Sequence, residues 1–160
     1  MSDTIERAQE IYDLCLEQEQ KYTFETFSKA DALRLGLIMD KVSKNYDKGI
    51  AIKITVNHIV VFSYVQDGAC KSNVDWAMRK QRIVEDEEMC TLRHRVWMEL
   101  TDNTWETRKL DPNDYSEHGG GFPIRIKDTG VIGSITVSGL PHLEDHQIIV
   151  DALEEYFATK

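Results

Sequence analysis

The sequence predicts an α+β chain in which an antiparallel sheet is covered by helices. Two observations carry that class. Helix-spaced apolar stripes occur at both ends and in the middle of the chain, and between them lie two pairs of β-rich segments, each closed by a hairpin-length connection. Two hairpins separated by a helix give an antiparallel arrangement, not a parallel doubly wound one.

The elements follow in order. Asp3 is placed to cap a first helix, on which Ile5, Ala8, Ile11, Tyr12, Cys15 and Leu16 share one stripe. This helix (1–20) precedes a core of residues 21–160, the whole read as one domain. Tyr22-Thr23-Phe24 has the character of a short edge strand. Ser28 and Asp31 form a capping box for a second helix lined by Ala32, Leu35, Met39 and Val42, ending near Asn45.

The period then changes. Residues 50–56 and 59–65 are β-branched and flank Asn57-His58, a two-residue connection in which Asn tolerates left-handed backbone. Ser72 with Asp75 opens a long helix predicted to run to about residue 100, with Asp75 and Arg79 paired at four-residue spacing and Glu85–Glu88 as a solvated acidic face. Residues 101–121 form a loop-rich stretch containing Asp111-Pro112-Asn113-Asp114 and three successive glycines. A second hairpin, 122–126 with 131–138, turns at 127–130. Pro141 then opens a final helix carrying Ile149, Leu153, Tyr156 and Phe157.

Composition bounds the function. At 160 residues, with 41% hydrophobic and 29% charged residues, the chain can bury a core without disulfides or a structural metal. Its 19 basic against 28 acidic residues give a net charge of −9, which argues against nucleic-acid or anionic-membrane partners. Neither a membrane span nor a signal peptide is read, and the expected location is the cytoplasm. Cys15, Cys70 and Cys90 are odd in number and widely spaced, as in a reducing compartment. Cys70, just before the predicted helix start, sits where a helix dipole favours a thiolate.

Chemistry-bearing residues are few. His142 and His146 stand four apart on one helical face, but no third ligand lies at a diagnostic offset, so no metal site is predicted. His118 precedes Gly119-Gly120-Gly121, where backbone N–H groups can meet a ligand or the glycines simply shape a turn. No nucleophile elbow, Walker loop or catalytic triad pattern is present.

The run from His118 to Arg125, the run from Gly130 to Pro141, and Asp145-His146 together resemble the C-terminal signature of the haem-degrading-domain family that includes GlcG and HbpS. Asp31-Ala32-Leu33-x-Leu35-Gly36, Ile50-Ala51-Ile52 and Asn73-x-x-Trp76-x-x-Arg79-Lys80 resemble its intracellular branch, for which no reaction is established. After Lys80 the branch carries a basic, small-polar stretch, whereas this chain continues Gln81-Arg82-Ile83-Val84 into four acids. The resemblance implies a profilin- or PAS-like antiparallel sheet of about five strands flanked by helices. It also implies dimers that build larger homo-oligomers, octamers or decamers, and relatives that bind haem or adjoin a cobalamin adenosyltransferase domain. Its motifs bring forward His118, Gly119, Gly120, Arg125, Ser138, Gly139 and His146, with Trp76, Arg79 and Lys80, as pocket or oligomer contacts. His118 or His146 would serve as a haem axial ligand; the competing role for each is a hydrogen-bonded structural histidine.

Three functions fit these observations. The first is an oligomeric module binding a small ligand, haem or another tetrapyrrole, between the glycine turn, the 131–138 strand and the helix bearing Arg79. The second is an enzyme in which Arg79, Lys80 and Arg125 hold a small anionic metabolite while His118 transfers protons. The third is an adaptor that presents the N-terminal stripe and exposed aromatics such as Trp105 to protein partners.

Overall fold

The computed structural model describes residues 2–159. Its elements are helix α1 (Ser2–Lys21), helix α2 (Lys29–Ser43), strands β1 (Ala51–Val56) and β2 (Ile59–Val65), helices α3 (Lys71–Glu87), α4 (Thr91–Leu100) and α5 (Trp105–Arg108), strands β3 (Gly121–Ile126) and β4 (Gly130–Ser138), and helix α6 (His142–Ala158). The side chain of Asp3, and so its capping role, lies outside the described residues.

The strands form one antiparallel sheet in the order β2-β1-β4-β3. Four strands, not five, make it up. The expected edge strand at Tyr22–Phe24 reduces to a single parallel bridge between Phe24 and Ile126, in which Phe24 N–H donates to Arg125 O and Lys127 N–H donates to Phe24 O. The reason is packing: Phe24 turns its ring into Phe27, Tyr156 and Phe157 at 4.7–5.6 Å, and the chain must leave the sheet to start α2.

The sheet's two faces differ in kind. Ile52, Ile54, Ile135, Val137, Phe122 and Ile124 point to one side, where α2 and α6 close over them with Leu35, Met39, Ile149 and Leu153. The other side carries Ala51, Thr55, Ser134, Thr136 and Ser138, small enough to admit α3 at close range. The Ser28–Asp31 capping box forms in both directions, at 2.8 and 3.1 Å. Asn57 and His58 both adopt positive φ, the left-handed pair a two-residue hairpin requires.

The long third helix divides in two. Glu88 takes a left-handed conformation that ends α3, and the Cys90 Sγ accepts from Arg93 N–H to open α4. The break lets α4 lie along α1, and Arg125 Nη2 donates to the freed Glu88 carbonyl at 2.6 Å. The cap of α3 is Cys70 with Asn73, not Ser72 with Asp75. Asp75 pairs with Lys71 at 3.0 Å, leaving Arg79 to lie over the Trp76 ring. The acidic run is engaged too: Tyr115 Oη donates to Asp86, and Arg108 pairs with Glu87. Trp105 is half-buried between His94 and Tyr115, so it is not the exposed docking aromatic the sequence suggested. No helix of the described residues is long and apolar enough to cross a membrane.

Candidate functional site

Four segments converge beside the glycine turn. Helix α3 contributes Asn73, Trp76 and Lys80, spaced so that all three share one face. The end of β4 contributes Ser138, followed by the Gly139-Leu140-Pro141 turn; α6 contributes His142 and Asp145 from its first turn, and His118 comes from the loop before β3. They enclose a cavity of about 370 Å³, near the lower end of the ~300–1,000 Å³ typical of ligand pockets.

The floor is a buried ion pair. Lys80 Nζ donates to Asp145 Oδ2 at 3.0 Å and to Val137 O at 2.8 Å, and the two side chains are 3% and 2% exposed. Asp145 Oδ1 accepts from Leu140 N–H at 3.0 Å, which fixes the turn that opens α6. Burial pulls Lys80 below its ordinary value and pushes Asp145 above its own, with each partner's charge working the other way.

The walls are aromatic. The His118 ring stands 5.5 Å from Trp76 and 5.5 Å from His142. Burial lowers both imidazoles, His142 to about 4, and the Arg95 charge pushes each further in the same direction. Both are therefore neutral at pH 7. Their nitrogens differ in availability. His142 Nδ1 accepts from Gly119 N–H at 3.4 Å, so its proton sits on Nε2, which can donate. The His118 ring nitrogens have no hydrogen bond among the described residues, which leaves one lone pair free.

The glycines make this proximity feasible without lining the space themselves. A Cβ on Gly119 would fall 2.6 Å from His142 O. Gly120, at φ 121°, would place one 2.5 Å from Val137 O and 2.7 Å from Lys80 Nζ.

Of the ten residues read from the sequence, Trp76, Lys80, His118, Ser138 and Gly139 line the cavity, with Gly119 and Gly120 buried directly behind it. Arg79 is held over Trp76 outside the lining. Arg125 is four residues along β3 from the glycine turn, about 13 Å away, bonded to Glu88 and near Glu19. His146 is buried one turn beyond His142, its Nε2 2.7 Å from Gln18 Oε1. Arg79, Lys80 and Arg125 therefore do not meet around a shared anion beside His118. Asn73, His142 and Asp145 join the site without having been put forward for it. A buried lysine needs a counter-charge, and that requirement was the available signal for Asp145.

The fold and site define a class: an antiparallel α+β protein with one aromatic, imidazole-walled cleft at the start of its last helix. The chain belongs to the family described as haem-degrading protein, HbpS-like, whose family model matches residues 27–154. A UPF0303 protein of Rhizobium etli is 36% identical over 137 residues, covering 86% of this chain and 84% of the relative. Among solved structures, that of the Ybr137w protein superimposes with a TM-score of 0.83 at 25% identity, over 100% of this chain and 96% of that one. A PduOC–haem complex shares the fold with a TM-score of 0.64 at 17% identity, over 81% of this chain and 94% of that one.

Proposed function

We propose that the protein binds a small planar ligand of the tetrapyrrole class, haem foremost, in the cleft walled by Trp76, His118 and His142. The observation that carries this reading is the neutral His118 imidazole, its ring nitrogens without a hydrogen bond among the described residues, lining a cavity beside the Trp76 ring that it meets edge to face. Neutral imidazole is a fitting donor for iron, and an aromatic wall suits a flat conjugated ring. His118 would hold the iron, Trp76 would pack against the macrocycle, and His142 Nε2–H would donate to it or its substituents. Bound haem would supply redox and ligand-binding chemistry at iron; the chain's own residues orient it and exclude water. Family membership and the fold shared with a haem complex support the same reading.

The reading includes self-assembly. Strand β2 is a free edge with no charge or proline, and its Ile59, Val60, Tyr64 and Val65, together with Leu33 and Leu37 of α2, are 41–57% exposed. Such an edge is normally covered, here by a second copy. Analytical sedimentation tests that part.

Titrating the purified protein with haemin tests the ligand. The expected result is a saturable shift of the haem absorption band, weakened at least tenfold in His118→Ala. Binding that never saturates and is the same in both proteins would overturn it.

A further inference from the structure

A second cleft, of about 190 Å³, lies between α1 and α4, and His142 belongs to its lining as well as to that of the first cavity. Ala8, Ile11, Leu92, Val96 and Leu143 give it an apolar floor. Its charged lining is Arg7 from α1 with Arg95 and Glu99 from α4.

Six other cations of the chain are closely matched by acids. Lys21, Lys41, Lys71, Lys80, Arg93 and Arg108 all reach carboxylates within 3.1 Å. Arg95 has only Glu99, with 3.8 Å between Nε and the carboxylate, and no guanidinium hydrogen bond of Arg7 or Arg95 occurs among the described residues. Two guanidinia against the one Glu99 carboxylate leave the cleft a net positive charge, which suits an anion. Arg95 also acts on the main cavity, since its charge depresses both His118 and His142. An apolar floor with a net positive lining fits a short alkyl chain ending in a carboxylate.

We propose that this second cleft receives an acid arm of the ligand held in the neighbouring cavity, with Arg95 and Arg7 as its counter-ions. The proposal rests on the tetrapyrrole reading and narrows it: the ligand is a porphyrin bearing alkyl carboxylates, not an esterified or purely alkyl one. His142, which lines both clefts, is the residue they share.

The test compares haemin with haemin dimethyl ester, both titrated by absorbance in the same detergent-containing buffer. Wild type is expected to bind haemin about tenfold more tightly than the diester, the scale of one charge-assisted hydrogen bond. Arg95→Gln is expected to bring haemin down to the diester's affinity and leave the diester unchanged. Arg82→Gln, whose side chain is on the surface near Asp114, should change neither. Tight but equal binding of haemin and diester, or haemin affinity unaltered in both Arg95→Gln and Arg7→Gln, overturns the acid arm alone. Failure to bind either porphyrin overturns this proposal together with the reading beneath it.

Discussion

The Lys80–Asp145 pair is the joint of the site, and removing either partner should be costly. Asp145→Ala would leave an ammonium 3% exposed with only the Val137 carbonyl to bond, and would free the Leu140 N–H. Breaking a buried pair from one side costs about 3–5 kcal/mol. For a chain of this size that corresponds to a melting point lowered by roughly 10 °C. Lys80→Met should cost a similar amount, since it leaves the carboxylate with the Leu140 N–H but no cation. The double variant Lys80→Met/Asp145→Leu removes both charges. It should therefore be more stable than the sum of the singles implies, by at least about 2 kcal/mol. Urea unfolding followed by fluorescence of the three tryptophans measures this, with Trp76 one turn from Lys80. Single variants that cost under about 1 kcal/mol and simply add would refute the reasoning.

Further outcomes follow from other positions. His94 is fully buried between Trp97 and Trp105 and falls from the ordinary 6.5 to about 4, chiefly through burial. The unfolded chain thus binds the extra proton first. The stability His94 contributes is complete above pH 6.5 and drains away as pH falls toward 4, by about 3 kcal/mol; His94→Phe should flatten that slope in urea titrations at pH 7 and 4.5. Gly120→Ala should cost 2 kcal/mol or more, roughly, because φ is 121° and the new Cβ meets Val137 O at 2.5 Å; denaturation midpoints report it. Gly36→Ala on α2 would drive a methyl to within 2.5 Å of the Phe62 ring, costing about 1–3 kcal/mol, against the small gain an alanine ordinarily gives a helix.

Periodicity was most informative where local rules decide. The Ser28–Asp31 box, the Asn57-His58 turn and both hairpins depend on residues adjacent in sequence, and each formed at its place. The division of the third helix was not legible, because Glu88 is an ordinary helix residue whose left-handed turn is set by tertiary partners. The short helix α5 was hidden inside a polar stretch, marked only by the Thr104–Thr107 capping box. For the site, the glycine turn and the Trp76–Lys80 face were visible as motifs, while His142 and Asp145 depended on how closely α6 begins behind Gly119 and Gly120. Arg125 and His146 lie in the same signature but face other neighbours, Glu88 and Gln18. Shared sequence signatures record close packing as readily as ligand contact.

A crystal structure of the haemin-loaded protein addresses the main proposition at its root. Porphyrin density in the cleft beside Trp76, with His118 as the residue that holds the iron, is the predicted result. Density for the porphyrin elsewhere, with the cleft at the start of α6 holding solvent alone, would contradict it.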